Sequence, residues 1–553
     1  MDCLSFFQGD SSPSSASNPS DFEQSSPGKA IIKSKERKQR KDQPKLDLHK
    51  LAVVGDRLGL SNRKMATVTT FALEAANIKD NIKDKSAIHR ARKNARENAV
   101  QQANPEAIES LYFDGRKDVT TVLKQGSQNA KATAVQEHIC FLSEPESRYI
   151  GFGSPKRGNA QSISDCIMDY LRDHNVDCKL INAIGSDGTS TNTGWQNGAI
   201  VKMEDHLKRP LQWLVCMLHA NELPLRHLII KIDGPTSGPT GFSGPVGSQL
   251  SDCEKLPVED FEPIRSELIP IAESYIKNLS KDQHYLLRAY NAVRSGDRDT
   301  ALENMSPGKI NHSRWLTTAN SLMRLYMSTT DPSENFKEIM EYIMKVYVPM
   351  WFRIKLNSSI TLGAKHLFET ILRVKQLRER SQLLVKEVIQ RNAFFAHPEN
   401  VLLAMVYDDD SATRKLGWEK MLSAKRATGV KNTRSKTKGQ KKGRKIRQFL
   451  VPDVNFAAEK YYDIINWTKV TVPPLLGMLS EDDIERNMNG SKYHSSVSVL
   501  RMPCHSQAVE RLVKVVTEAS VAVVDDKARD GYIRNVFKSR MENPSFESKK
   551  DYI

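Results

Sequence analysis

The sequence has few of the features that mark membrane and secreted proteins. Its 553 residues include no uninterrupted apolar run of the roughly 18 residues that a bilayer-spanning helix needs. No basic region followed by an apolar stretch begins the chain, so we expect no secretory signal. The seven cysteines are scattered and form no Cys-x-x-Cys pair, which argues against a disulfide scaffold. These absences predict an intracellular protein without a membrane partner.

The chain has fewer acidic than basic residues, and the excess positive charge is concentrated in one stretch. The chain has 82 Lys and Arg against 66 Asp and Glu, a formal net charge of +16. Residues 424–452 contain eleven basic residues and no acidic one, and the net charge falls to +5 when these eleven are left out. They are Lys425, Arg426, Lys431, Arg434, Lys436, Lys438, Lys441, Lys442, Arg444, Lys445 and Arg447.

Such a stretch has almost nothing apolar to bury and its charges repel one another, so we expect a solvated, disordered loop. A second basic cluster lies at residues 35–41. Two interpretations of both clusters stay open: contact with nucleic-acid phosphates, or solubility and nuclear import. The first interpretation predicts DNA as the partner, and nuclear import predicts a nuclear protein.

The N-terminal region predicts a tail followed by a small helical segment. Residues 1–45 are rich in Ser and Pro at the start and basic later, which is typical of a disordered tail. In residues 46–105, Gly59 can supply a turn between two helices and Ser61 can cap the second. Two helices joined by such a turn outline a helix-turn-helix, a DNA-binding motif. An ordinary helix pair is the alternative.

Residues 106–232 predict an α/β unit. The predicted elements are strands at 110–114, 120–123 and 138–142, a helix capped by Ser162, a strand at 180–184, a helix at 197–207 and a strand at 211–218. The run at 180–184 is almost wholly apolar, as expected of a strand that is buried on both faces of a sheet. This order matches an RNase H-like core without its last helix.

The closing helix is not expected next in the sequence. Residues 234–247 hold five Gly and three Pro, and helical spacing of apolar residues follows, for example at Phe336, Ile339, Met340 and Ile343. We therefore predict a helical insertion over residues 233–490 that includes the basic loop 424–452. Residues 491–545 would supply the closing helix. The predicted fold class is α/β plus all-α, an RNase H-like core interrupted by a long helical insertion.

Two aspartates stand where ligand sites form in α/β sheets. Asp187 directly follows the buried strand, and Asp114 ends the first predicted strand. If the two strands are neighbours, the carboxylates meet at one end of the sheet. Their repulsion would be relieved by a divalent cation, so the pair suggests a hard-metal site. The alternative is that both are turn residues, since Asp-Gly favours turns.

Four short motifs resemble, in order, the landmarks of the hAT superfamily of DNA transposases. They are Ser186-Asp187-Gly188, Cys216-Met-Leu-His219, His312-Ser-Arg314-Trp315 and Cys504-His-Ser506-Gln-Ala-Val-Glu510-Arg511. The resemblance covers roughly residues 106–535. It implies an RNase H-like core that is interrupted by a helical insertion, with two Asp before the insertion and one Glu after it.

The resemblance implies roles for particular residues. Asp114, Asp187 and Glu510 would be the catalytic triad that binds Mg²⁺ or Mn²⁺, with Asp118 competing for the place of Asp114. Arg314 and Trp315 would contact DNA, with the Trp ring stacked on an unpaired base. An anchoring role in the insertion is the alternative for this Trp.

Cys216 and His219 would form the superfamily's Cys-x-x-His element. They supply two ligands where a structural zinc site needs four. A buried cysteine with a hydrogen-bonded histidine is the alternative, and their role stays open. The chain departs from many members of the superfamily because residues 1–110 contain one cysteine and show no zinc finger.

Two functions are therefore compared. The first is a hAT-like transposase that cuts and joins DNA with a divalent metal. The second is a domesticated, non-catalytic DNA- or chromatin-binding protein derived from a transposase. The triad favours the first, and the missing finger favours the second. DNA end recognition would use the helices predicted over residues 46–77, or has been lost. The sequence leaves open whether the protein is a homo-oligomer.

Overall fold

The computed structural model describes residues 47–76, 84–103, 107–124, 130–237, 241–310, 315–432, 451–469 and 501–542. The tail predicted over residues 1–45 lies outside them. The described part is a mixed α/β structure, mostly helical, with a five-stranded sheet. None of its helices is long and apolar enough to cross a membrane.

Among the described residues, three helices precede the sheet: α1 (Leu48–Arg57), α2 (Asn62–Ala75) and α3 (Lys85–Gln101). The predicted turn and cap are confirmed. Gly59 has a φ of +62°, and the Ser61 hydroxyl accepts a hydrogen bond from the backbone N–H of Lys64 at 3.2 Å. α3 packs on both α1 and α2. The helix pair is thus part of a three-helix group, and DNA binding by it stays a prediction.

The sheet is mixed. Its strands are β1 (Ser110–Leu123), β2 (Lys131–Ser143), β3 (Arg148–Gly153), β4 (Ala183–Ser186) and β5 (Gln212–Val215). Their order is β3-β2-β1-β4-β5. β2 is antiparallel to β1 and β3, whereas β4 is parallel to β1 and β5. The first three strands form a meander, and helical connections add the two parallel strands.

The predicted strands are partly wrong. The runs at 110–114 and 120–123 belong to one strand, because residues 115–119 pair continuously with residues 135–139 of β2. This ladder overrides the Asp-Gly turn signal, so Asp114 lies within a strand and does not end one. β3 is absent from the sequence prediction. Its two glycines, Gly151 and Gly153, weaken a strand pattern.

The bounds of the elements around the later strands also differ from the predicted ones. The helix predicted to be capped by Ser162 is α4 (Ala160–Asp173), and Asn159 caps it by accepting from the N–H of Ser162 at 2.9 Å. β4 begins three residues after the predicted start. A single helical turn, α5 (Ser190–Thr193), precedes α6 (Ala199–Leu207), which matches the helix predicted over 197–207.

Side chains alternate across β1 and contribute to two cores. Leu111 and Phe113 are buried with the apolar faces of α4 and α6 on one side of the sheet. Tyr112 belongs to the larger core on the other side. Asp114 follows Tyr112 by two residues and therefore lies on that second side.

Helices follow the sheet directly. β5 ends at Val215 and does not continue to the predicted end at residue 218, because α7 (Met217–Ile232) begins at Met217. This helix was missing from the prediction, which placed Met217 and Leu218 in the strand. A short apolar run is compatible with either a strand or a helix, so the pattern alone does not decide between them. α7 packs against helices of the insertion.

The described part of the insertion is helical, as predicted. Its helices are α8 (Glu273–Lys277), α9 (Lys281–Ser295), α10 (Thr300–Glu303), α11 (Leu316–Tyr326), α12 (Glu334–Tyr342), α13 (Val348–Leu356), α14 (Gly363–Val374), α15 (Glu379–Arg391), α16 (Pro398–Val406) and α17 (Ser411–Asn432). A π-helical segment, Ile343–Tyr347, joins α12 to α13.

The first part of the predicted basic loop is helical. α17 continues to Asn432, so Lys425, Arg426 and Lys431 lie in a helix and not in a loop. Ala, Lys and Arg have high helix propensity, which lets the helix continue into the charged stretch. The remaining basic residues of the stretch, from 434 to 447, lie outside the described residues.

In the described segment 501–542, two helices close the fold. α18 (Gln507–Ala522) packs on β1 and β2, which fits the prediction that a helix returns to the sheet after the insertion. α19 (Asp526–Glu542) packs on α18, β3, α1 and α3. The Tyr532 hydroxyl donates to the carbonyl of Asp56 at 2.9 Å, so the N-terminal helices are bonded to the last helix.

Candidate active site

Register places the two aspartates side by side. Tyr112 of β1 pairs with Gly185 of β4, so Asp114 and Asp187 are each two residues further along parallel neighbours. β4 ends at Ser186, so it does not cover the edge of β1 at the level of Asp114. The Asp114 Oδ1 accepts from the backbone N–H of Gly115 at 2.8 Å. The carboxyl end of the short strand thus brings two carboxylates to one edge.

Asp187 is oriented by the hydroxyl-rich segment that follows it. Its Oδ1 accepts from the N–H of Thr189 at 3.2 Å, from the Thr189 hydroxyl at 2.8 Å and from Asn192 Nδ2 at 2.7 Å. Thr189 and Asn192 were not identified from the sequence. An Asp followed two residues later by Thr is a turn signal that indicates the first of them.

Glu510 lies in the first turn of α18. Ser506 caps this helix by accepting from the N–H of Val509 at 3.2 Å, and its hydroxyl donates to Glu144 Oε1 at 2.7 Å. Glu144 is buried, and burial raises the pKa of its carboxyl group, although the bonds from Ser506 and Ser147 oppose that rise. This buried pair fixes where the helix starts, and hence where Glu510 lies.

Backbone hydrogen bonds hold the segment that precedes α18. The N–H of Cys504 donates to the carbonyl of Ser358 at 2.6 Å, and the N–H of Met217 donates to the carbonyl of Cys504 at 3.0 Å. The Tyr112 hydroxyl donates to the carbonyl of Pro503 at 2.8 Å. The insertion, α7 and β1 therefore all position the start of the closing helix.

The three acids meet in one cleft. Asp114, Asp187 and Glu510 line one cleft, together with residues that include Tyr112, Cys216 and His505. Glu510 Oε2 is 3.8 Å from Lys355 Nζ and 3.9 Å from His505 Nε2.

The donor set fits a hard cation in chemical type. Three carboxylates, from a strand, a loop and a helix, are the ligands that Mg²⁺ and Mn²⁺ prefer. In this conformation Asp187 bonds to Thr189 and Asn192, and Glu510 pairs with Lys355. Across the part of the chain that the structure describes, no three His, Cys, Asp or Glu side chains are close enough together to hold a metal ion. The acids are gathered in one cleft without closing around a common point.

Asp118, the alternative to Asp114 as the first acid of the triad, does not line the cleft. It is buried, its Oδ2 accepts from the Thr517 hydroxyl at 2.6 Å, and its Oδ1 is 3.1 Å from Arg116 Nε. Asp118 therefore joins β1 to α18. Of the two candidates, the geometry places Asp114 beside Asp187.

Of the Cys-x-x-His residues, Cys216 lines the cleft, and His219 lies beside the segment that follows Asp187. The Cys216 Sγ is 3.4 Å from His505 Nδ1, and His505 neighbours Glu510. His219 packs against Gly188, where an added Cβ would come within 2.9 Å of its ring. Its Nδ1 is 3.9 Å from Glu222 Oε2. Each residue thus shapes a segment that carries one of the acids.

The Arg-Trp pair is only half described. Trp315 is 7% exposed and packs edge-on against Phe242, with ring centroids 6.0 Å apart. This burial corrects the expectation that its ring is available for stacking on a base, and it favours the anchoring alternative. Arg314 lies outside the described residues, as do Arg434, Lys436, Lys438, Lys441, Lys442, Arg444, Lys445 and Arg447.

No protein-family model matches this chain, and no curated protein matches it in sequence. The functional argument therefore depends on the arrangement of the site and on the order of its motifs.

Proposed function

We propose that the protein is a hAT-like transposase that cuts and joins DNA strands with a divalent metal. The observation that carries the proposal is that Asp114, Asp187 and Glu510 line one cleft, although a helical insertion of more than 200 residues separates the last from the other two. These are the residues, in the order, that the motif resemblance singles out.

The topology supports the same proposal. A three-stranded meander, two parallel strands joined by helices, and a last helix that packs on β1 after an insertion are what an RNase H-like core with a helical insertion requires. The acids stand where its chemistry would occur, beside the end of the central parallel strand.

The chemistry needs groups of this kind. Metal ions bound by the three carboxylates would activate water or a 3′ hydroxyl and stabilise the oxygen that leaves the phosphodiester. Thr189 and Asn192 hold Asp187 in one orientation, and the Ser506 cap holds the helix of Glu510. DNA is the proposed partner, the basic segments would bind its phosphates, and the nucleus is the proposed location.

A non-catalytic DNA-binding protein derived from a transposase is the second candidate. The pairing of Glu510 with Lys355 favours it, because that carboxylate is already neutralised by a protein cation. A protein that has lost the cleavage activity would keep the fold and the basic segments, and would still bind DNA through them.

A cleavage assay distinguishes the two candidates. The substrate is duplex DNA that carries the genomic sequences flanking the coding region, with Mg²⁺ or Mn²⁺ present. The transposase proposal expects cleavage by the parent protein and none by Asp187→Asn, with DNA binding retained. Absence of cleavage by the parent protein on its own flanking ends, with either metal, supports the second candidate. Undiminished cleavage by Asp187→Asn would show that this site is not catalytic.

A further inference from the structure

Lys355 reaches the candidate site from the insertion. It is near the end of α13, its side chain is 13% exposed, and its Nζ is 3.8 Å from Glu510 Oε2. Its ammonium also lies 5.4 Å from the centre of the Trp351 ring. Its carbonyl accepts from Gln507 Nε2 at 3.1 Å, so α13 is bonded to the first residue of α18. No sequence motif pointed to this lysine.

The charge of Lys355 is confined to a nearly buried place. Burial lowers the pKa of its ammonium, the Glu510 carboxylate opposes this, and Arg511 and Lys514 add to the lowering. A buried cation is tolerated when a carboxylate compensates it, and is costly when that partner is taken away. Glu510 is the carboxylate that Lys355 contacts.

Metal binding by Glu510 would disturb this pair. A divalent cation on the Glu510 oxygens would stand close to the ammonium, and like charges repel strongly at such range in a partly buried site. It would also neutralise the carboxylate on which the ammonium depends. Lys355 then needs another anion within reach.

A DNA strand brings that anion. A backbone phosphate carries a full negative charge, and lysine binds phosphates as a compact point charge with three donors. We propose that Lys355 is a phosphate-binding residue of this site, which Glu510 holds until DNA and metal enter together. The proposal rests on the transposase function proposed above. It makes metal binding weak in the absence of DNA, and by reciprocity it makes each ligand tighten the binding of the other.

The test measures Mn²⁺ binding directly, from the paramagnetic resonance signal of free Mn²⁺ in titrations of the full chain. Without DNA, Lys355→Met should bind Mn²⁺ about tenfold or more tightly than the parent, because the opposing charge is gone. Lys355→Arg, which keeps the charge, should stay close to the parent. Lys514→Met is the matched control, because Lys514 is an exposed residue one turn beyond Glu510 on α18 and its removal changes the net charge equally.

Adding the flanking-end duplex gives the second readout. It should tighten Mn²⁺ binding to the parent protein, and should tighten it less in Lys355→Met. Thermal denaturation checks that each variant is folded, and Lys355→Gln replaces Lys355→Met if the latter is not. Equal Mn²⁺ affinities for the parent and the neutral variant would overturn this inference alone, as would an equal gain in Lys514→Met. Failure of the parent protein to bind Mn²⁺ with or without DNA would overturn the proposed function as well.

Discussion

At the scale of single residues, the structure gives two aspartates of one strand different surroundings. Asp114 and Asp118 lie on the same face of β1, yet the first lines the cleft and the second bonds to Thr517. Sequence alone could not choose between them, because a spacing of four residues keeps both on one face. The choice depends on where β4 ends and where α18 crosses.

The two aspartates should therefore behave differently when each is replaced. Asp114→Asn should abolish metal-dependent cleavage without lowering the free energy of unfolding, because the amide keeps the shape and relieves repulsion among the acids. Asp118→Asn should keep cleavage and lose about 1 kcal/mol of stability, since a buried hydrogen bond to a charged group is weakened. Cleavage rates and urea denaturation of both variants check this. Loss of cleavage in Asp118→Asn alone would reverse the assignment.

Glu204 carries a second prediction at this scale. It is buried in the second half of α6, and burial raises the pKa of its carboxyl group from 4.5 to about 7, although bonds from the N–H of Leu211 and from Trp213 Nε1 oppose the rise. Between these pH values the folded protein holds a proton that the unfolded chain has released. The free energy of unfolding should therefore fall by up to about 3 kcal/mol as pH rises from 4.5 to 7.

Glu204→Gln removes that dependence while keeping an acceptor oxygen for both donors. The variant should match the parent near pH 5 and be more stable than the parent at pH 8, as measured by denaturation midpoints across this range. Asp205→Asn is the control, because Asp205 is its exposed neighbour and loses the same charge. Parallel pH curves for Glu204→Gln and the parent would show that Glu204 is ionised in both states.

At the scale of elements, α18 links the fold to the chemistry, and its cap is the most direct way to test that link. Ser506→Ala removes the bond to the N–H of Val509 and a donor to buried Glu144. We expect a stability loss of about 1–2 kcal/mol and slower cleavage, because the first turn of the helix carries Glu510.

Ser333→Ala is the matched control for the cap. Ser333 caps α12 by accepting from the N–H of Phe336, and α12 is in the insertion, outside the residues that line the cleft. Its loss should cost a similar amount of stability and leave the cleavage rate unchanged at temperatures where both variants are folded. Equal slowing in the two variants would mean that global stability, and not the position of α18, limits the rate.

Local signals explain which elements could be predicted. The turn at Gly59, the helix of the 197–207 run and the helical period at Phe336 and Ile339 are properties of adjacent residues, and the structure has them. β3 and α7 were missed because their patterns are weak or ambiguous over a few residues.

Contacts that depend on the whole fold explain what the sequence could not predict in the site. The order of motifs was enough to select Asp187 and Glu510, whereas the choice between Asp114 and Asp118 stayed open. Two contacts that position Glu510 were not predictable, because Lys355 reaches Glu510 and Glu144 reaches the Ser506 cap from segments far away in the chain. The burial of Trp315 against Phe242 is of the same kind, since a motif names a residue and not its exposure.

At the scale of the whole molecule, the net charge of +16 is concentrated in one stretch, and this concentration predicts how DNA affinity depends on salt. The eleven basic residues from Lys425 to Arg447 begin in the last turns of α17 and continue beyond the described residues. Each phosphate that they neutralise releases condensed counterions and adds about 0.9 to the slope of log affinity against log salt.

Replacing the eleven by Gln should therefore weaken binding to DNA of any sequence and flatten that slope by several units. The control exchanges every Lys of the stretch for Arg and every Arg for Lys, which keeps the charge and should keep the slope. Fluorescence anisotropy of a labelled duplex over a series of salt concentrations measures both. Because this contribution is independent of sequence, the preference for flanking ends over random DNA should survive the Gln replacement. An unchanged slope would remove the stretch from the DNA interface and leave nuclear import or solubility as its role.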